Sequence, residues 1–405
     1  MRAVIKKSVA KGRISAPPSK SMAHRMLIGA GLAQGTSVIK GISDSEDMKA
    51  TIDCLNAMGA KCELSGDVAT VTGTDLKKLP QNPHLKCRES GSTLRFFIPL
   101  CLMSDETEVE LSGSEYLFSR PLNVYEEICL KQGIGYNKEG ATLKLKGRLK
   151  NDNFRIKGNI SSQFITGLLF VLPLLKEDST ITLIPPVESL SYINLTIQAL
   201  KVFGVEVKWQ DEKTLYIKGG QSYSAVDTFV EGDYSNTAFF EALNVLGGNV
   251  EVEGLLEDSL QGDKVYKKYF PALLKGTPTI NISDCPDLGP VLFAVAGAKH
   301  GAVFTGTRRL RLKECDRAEA MAEELKKFGI AVTVREDSVV VYPHDFHAPD
   351  DILSGHNDHR VVMALTVLST LTGGEVEGAE AVRKSMPDFF EKIKTVGVEV
   401  STYDA

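Results

Sequence analysis

The sequence has no CxxC pair, no histidine or carboxylate cluster at metal-ligand spacing, and no charge-free apolar stretch long enough to cross a bilayer. Its seven cysteines (Cys54, Cys62, Cys87, Cys101, Cys129, Cys285 and Cys315) are odd in number and scattered. Neither a disulfide framework nor a zinc site is indicated, no catalytic metal is expected, and a reducing cytoplasm is the expected setting. Basic residues are never massed in a stripe. With 47 Lys and Arg against 52 Asp and Glu the net charge is −5, which argues against a nucleic-acid footprint. Residues 1–9 include Arg2, Lys6 and Lys7 but no long apolar stretch or cleavage-like end, so no leader and no membrane partner are expected. Any anion the protein holds should be small.

What is present is repetition. At 405 residues and 43% hydrophobic content the chain exceeds the size at which one core keeps growing, so two domains are expected. Six long apolar segments open near Ser21, Gly91, Ser162, Ser235, Asp287 and Asp358, each just after small polar or charged residues. Neighbouring openings lie about seventy residues apart, except the shorter gap from Ser235 to Asp287. An amphipathic segment follows each one, at 47–58, 122–132, 193–203, 263–274, 317–328 and 387–396. Five of these end on a glycine (Gly59, Gly133, Gly204, Gly329, Gly397), the residue that most readily takes a left-handed helix cap. The sixth ends at Gly276.

β-branched runs follow both kinds of segment, so the unit reads as βαβαββ, present six times. A helix that is apolar all round needs burial, whereas an amphipathic one covers an outer face. Three units per domain would bundle three buried helices inside a wall of sheets. Unpaired N–H groups at each helix opening carry partial positive charge, which makes every opening a candidate anion site. Ordinary capping is the competing account, and the charges at each opening decide between them.

The first opening places Lys20 and Ser21 at a helix start after Pro17 and Pro18, with Arg25 one turn on; ammonium, hydroxyl and guanidinium together can hold phosphate or carboxylate. The second carries Gly91, which lets a ligand approach backbone, and Arg120 follows downstream. The third offers Ser161, Ser162 and Gln163, with Ser189 and Tyr192 ahead of the next helix. In the second half Asp287 sits at the mouth of an apolar helix. If helical geometry extends back to Lys313, then Lys313 and Arg317 lie one turn apart with Glu314 on nearly the same side. A carboxylate among so many cations should stay ionised and could shuttle a proton. His359 and Arg360 open the sixth apolar segment, and Lys384 is the last basic element.

In this order the motifs resemble those of the 5-enolpyruvylshikimate-3-phosphate synthase family, from Lys20 to Lys384. The resemblance implies mixed α and β structure in two pseudo-symmetric domains of three βαβαββ units, residues 15–221 forming one and 1–14 with 222–405 the other. Substrates would lie between them. It implies transfer of the enolpyruvyl group of phosphoenolpyruvate to the 5-hydroxyl of shikimate 3-phosphate, with release of phosphate and no cofactor, by a cytoplasmic monomer. Shikimate 3-phosphate would be held by Lys20, Ser21, Arg25, Ser161, Ser162, Gln163, Ser189, Tyr192, Asp287 and Lys313. Phosphoenolpyruvate would be surrounded by Lys20, Gly91, Arg120, Gln163, Arg317, Arg360 and Lys384, with His359 a further candidate. Asp287 would accept the hydroxyl proton, and Glu314 or Lys20 would deliver one to the methylene carbon.

Glu89 and Arg309 stand where many members carry Asn. Two other readings stay open. A sister transferase acting on UDP-N-acetylglucosamine is disfavoured because Ser21 follows Lys20 and the loop 112–119 lacks cysteine. A non-catalytic anion-binding relative is disfavoured by the presence of Asp287, Glu314 and Lys20 together.

Overall fold

All six apolar segments fold as helices buried on nearly every side. The computed structural model describes residues 1–404. Three of these helices are Lys20–Leu32, Gly91–Cys101 and Ser162–Val171; the other three are Tyr234–Val245, Gly289–Ala298 and His359–Ser369. Several openings are capped by their own polar residue, which satisfies an otherwise unpaired N–H: Ser90 accepts from Thr93 N at 3.3 Å, Asp233 from Asn236 N at 2.9 Å, and Asp358 from Arg360 N at 2.8 Å. The polar clusters before the apolar runs are therefore caps first, whatever else they do.

The amphipathic segments form the helices Glu46–Ala57, Asn123–Gln132, Leu190–Val202, Tyr266–Lys275, Arg317–Lys327 and Phe389–Thr395. Gly59, Gly133, Gly204, Gly329 and Gly397 follow them at φ of 97°, 71°, 79°, 80° and 84°, the left-handed region. Gly276 departs from this rule, since its φ of 164° is extended backbone.

The chain divides into two units, Lys20–Val230 and the pair of segments Met1–Ser19 and Glu231–Ala405. The divisions fall after residues 19 and 230, not at 14 and 221. Short strands explain the difference: Tyr223–Ser224 pairs in parallel with Ala33–Gln34, and Thr228–Phe229 with Ile39–Lys40. Hydrogen bonding thus keeps 222–230 with the first unit.

Five four-stranded sheets repeat one pattern among the described residues. In Asn153–Lys157, Ser179–Ile184, Val207–Trp209 and Thr214–Ile217, the first two strands are parallel and the rest antiparallel. A crossover helix between parallel strands and a tight return between antiparallel ones give βαβαββ. Two sheets borrow a strand from far along the chain. Thr228–Phe229 completes the first, and Arg2–Ile5 lies between Gly374–Glu377 and Val400–Tyr403 in the last. The repeat that opens with Tyr234–Val245 is abbreviated. Among the described residues its strand Asn249–Glu253 pairs only with Lys11–Ser15 and no closing strand pair is present, which accounts for the shorter spacing there.

Each unit has its own hydrophobic cluster around its three buried helices. A Cβ at Gly167 would lie 2.6 Å from the Arg95 carbonyl, so glycine is what lets these two helices pass so closely. The Tyr125 hydroxyl lies 2.7 Å from that same carbonyl, satisfying a polar group inside the core. Among the described residues no helix is long and apolar enough to cross a membrane.

Candidate active site

In the unit containing Glu231–Ala405, several helix openings bring charge to one carboxylate. A 3-10 turn, Pro286–Leu288, runs straight into Gly289–Ala298 and carries Asp287 at the junction. Asp287 Oδ1 accepts from Lys313 Nζ and Arg317 Nη1, both at 2.9 Å, and Oδ2 from Arg360 Nη2 at 3.1 Å. Arg317 is the first residue of its helix, after the cap Asp316, and its side chain is only 1% exposed. Every edge of its guanidinium is engaged: Nε donates to Asp358 Oδ2 at 2.7 Å, Nη2 to Glu314 Oε2 at 2.7 Å, and Nη1 to Asp287.

Among these six groups three cations (Lys313, Arg317, Arg360) face three carboxylates (Asp287, Glu314, Asp358). Taking an ion out of water costs several kcal/mol, and only such matched geometry offsets it. Burial alone would raise the pKa of Asp287, but Arg360, Lys313 and Arg317 outweigh it and hold the carboxyl well below its usual range. Lys313 moves the other way. Burial, reinforced by Arg317 and Arg309 and only partly opposed by Asp287, lowers its ammonium to about 8.

The expectation that helical geometry reaches Lys313 is corrected. Lys313 is extended, ending the 3-10 segment Arg308–Leu312, and the helix begins only at Arg317. The two cations meet through Asp287 instead. His359 is buried, its Nδ1 3.9 Å from Asp358 Oδ1. Lys384 Nζ donates to the Asn357 carbonyl at 2.6 Å, and Arg309 Nη1 reaches the Ser283 carbonyl at 3.5 Å.

The unit Lys20–Val230 gathers a different chemistry. Lys20 opens its helix and pairs with Asp47 Oδ2 at 2.9 Å. Arg25, 3% exposed, lies on the same helix. Its guanidinium donates to Thr196 Oγ1 at 2.9 Å, Thr166 Oγ1 at 3.3 Å, and the carbonyls of Ser21 and Tyr192 at 2.5 and 3.1 Å. All four acceptors are neutral. Burial pulls this guanidinium below its ordinary pKa. A buried cation held by neutral dipoles alone leaves an electrostatic deficit that an anion would fill.

At the second opening a Cβ on Gly91 would lie 2.6 Å from Arg120 Nη1, so the missing side chain is what admits the guanidinium to that helix start. Gln163 accepts from Arg95 Nη1 at 2.8 Å and donates to Ser92 Oγ at 3.0 Å. Ser161 caps the Gln163 N–H at 3.3 Å, and Ser162 is buried behind it. Ser189 is fully buried with φ of 57°, in the left-handed region.

The structure therefore joins Asp287, Lys313, Glu314, Arg317 and Arg360 directly; it joins Ser21, Arg25 and Tyr192 through hydrogen bonds, and Gly91 to Arg120. Sequence reasoning does not single out Asp47, Arg95, Thr166, Thr196 or Asp358, although each anchors a candidate residue. Asp358 alone carries a signal, as a cap residue before His359 and Arg360. Among the described residues one group has metal-ligand proximity, Glu323, Glu324 and His356. Lys327 already pairs with Glu324 there at 2.9 Å, so a cation is in place.

The family profile described as EPSP synthase (3-phosphoshikimate 1-carboxyvinyltransferase) matches residues 4–393. The chain belongs to that family. It is 38% identical to a 3-phosphoshikimate 1-carboxyvinyltransferase of Clostridium kluyveri over 97% of this chain and 96% of the relative. Identity to the same-named protein of Clostridium novyi is 40% over 95% of each. In fold it resembles the EPSP synthase of Acinetobacter baumannii (TM-score 0.80, 21% identity, all of both chains). It also resembles the enolpyruvyl transferase NikO of Streptomyces tendae (TM-score 0.79, 13% identity, 100% of this chain and 99% of that one).

Proposed function

We propose that the protein is a 3-phosphoshikimate 1-carboxyvinyltransferase of the shikimate pathway, moving the enolpyruvyl group of phosphoenolpyruvate to the 5-hydroxyl of shikimate 3-phosphate. One observation carries the assignment of roles: Asp287 and Glu314, the two carboxylates that a proton-moving addition needs, are held by the same guanidinium, Arg317.

In this reading Glu314 or Lys20 gives a proton to the methylene carbon of phosphoenolpyruvate, leaving a cationic centre at the adjacent carbon. The 5-hydroxyl adds there while Asp287 accepts its proton. Loss of phosphate from the tetrahedral adduct carries off the proton that Asp287 took, and return of a methyl proton to Glu314 or Lys20 gives the enol ether product. The balance closes on the two substrates and these side chains. Arg317, Arg360, Arg120, Lys384 and Lys20, with Gln163 and the Gly91 backbone, neutralise phosphoenolpyruvate and its departing phosphate. Arg25, Lys313, Ser21, Ser161, Ser162, Gln163, Ser189 and Tyr192 hold shikimate 3-phosphate. Charge supports this division, because Arg25 has only neutral partners and Asp287 is kept ionised by its cations.

Purified protein given both substrates should release inorganic phosphate, and none when UDP-N-acetylglucosamine replaces shikimate 3-phosphate. Release with the nucleotide sugar alone would favour the sister transferase.

A further inference from the structure

Helix Arg317–Lys327 touches the loop before His359–Ser369 at its far end as well as near its start. Arg317 holds Asp358 at one end. At the other, Glu324 is fully buried yet well partnered: Lys327 Nζ lies 2.9 and 3.1 Å from its two oxygens, Ser354 N donates to Oε2 at 2.8 Å, and His356 Nε2 is 2.9 Å from Oε1. Lys327 Nζ also donates to the Ile352 carbonyl at 2.9 Å.

The loop it grips is strained. His356 and Asn357 have φ of 47° and 51°, a pair of left-handed residues neither of which is glycine. Such backbone persists only when its surroundings over-determine it. On one side Gly355 N donates to the Glu377 carbonyl at 2.9 Å, while on the other His356 and Asn357 border a surface pocket of about 270 Å³ shared with Met1, Arg2, Ser354 and Gly378, so the His356 side chain is left to its Glu324 contact. The groups this loop carries into the charged cluster are chemically critical. The Asn357 carbonyl accepts from Lys384, and Arg360, three residues further on, donates to Asp287.

We propose that Glu324 and His356 are positioning residues: the buried carboxylate clamps the His356 imidazole, and so holds the strained loop that aims Arg360 and Lys384. The proposal rests on the reading of those two cations as phosphoenolpyruvate ligands. Around His356 the charged groups are Glu323, Glu324 and Lys327 from the helix; across the cavity are Arg2 and Glu377, themselves 3.5 Å apart, and the Met1 amine, paired with Glu380. The hydrogen bond to Glu324 raises the pKa of His356 against the opposing effect of burial. The charged clamp is therefore complete below the ordinary histidine value and is lost as pH rises through the raised one.

Two variants test this, read by steady-state kinetics and by deuterium exchange of residues 353–360. His356→Ala should raise the KM for phosphoenolpyruvate about tenfold with kcat within about threefold, and accelerate exchange in that segment about tenfold. His356→Gln keeps a donor near the Nε2 position; it should restore both readouts to within about threefold and flatten the pH dependence of KM between about pH 6 and 8. An alanine variant with parental KM and exchange, or a glutamine variant as impaired as alanine, overturns the clamp. A parent inactive on both substrates instead overturns the transferase reading, and the exchange rates then decide the clamp alone.

Discussion

Around Asp287, Lys313, Arg317 and Arg360 each meet a carboxylate, whereas Arg25 in the unit Lys20–Val230 meets only neutral groups: hydroxyls, carbonyls and the face of the Phe96 ring. Both arrangements are buried, so both incur desolvation, but they resolve it in opposite ways. The first is a charge-matched set in which three cations hold three carboxylates in place and keep Asp287 ionised. The second leaves a positive charge without an opposite one among its partners. Within one repeated fold, buried charge is thus matched by carboxylates at Asp287 and left to neutral partners at Arg25.

Breaking the locked set should have the largest effect. Asp287→Ala or Glu314→Gln is expected to lower turnover about 10³-fold, the scale of a lost acid or base, with far-ultraviolet circular dichroism unchanged. Near-normal phosphate release from either variant would remove it as a proton carrier. Arg317→Met should cost about 3–5 kcal/mol in denaturant unfolding, because it strands Asp358, which is fully buried, and Glu314 without their shared partner.

Smaller effects sharpen the contrast. Lys313 stays charged only below about 8, so the KM for shikimate 3-phosphate should rise as pH passes that value. Lys313→Arg, which cannot deprotonate there, should remove the rise, and an unchanged pH profile would show that Lys313 does not meet the substrate. Lys20→Ala should weaken phosphoenolpyruvate binding by about tenfold in calorimetry, a modest loss because Asp47 already neutralises much of its charge. Unchanged affinity would take Lys20 out of the site.

Much of the architecture is legible in the chain. Apolar runs opening at Ser21, Gly91, Ser162, Ser235, Asp287 and Asp358 announce the six buried helices, and five glycine caps locate the ends of their partners. Periodicity and capping are local, and local rules can be read from one sequence. The misses are long-range or lie at a boundary. Nothing near Lys20 points to Asp47, and nothing near Arg25 points to Thr166 or Thr196, because those pairings arise only when separate repeats pack. The spacing of Lys313 to Arg317 allows a shared helix, yet the Asp316 cap starts the helix later. The unit boundaries shift because strands of two residues, Tyr223–Ser224 and Thr228–Phe229, are too short to leave a pattern. Glu324 is hidden in an amphipathic helix rich in acidic residues, where an exposed role is the natural assumption.

Calorimetric titration of shikimate 3-phosphate into Asp287→Ala and Arg25→Met, side by side with the parent, tests the proposed roles of these two residues most directly. Affinity should stay within about threefold of parental in Asp287→Ala and fall at least about thirtyfold in Arg25→Met. If the aspartate variant loses binding while the arginine variant keeps it, the assignment of shikimate 3-phosphate binding to Arg25 and of proton movement to Asp287 is wrong.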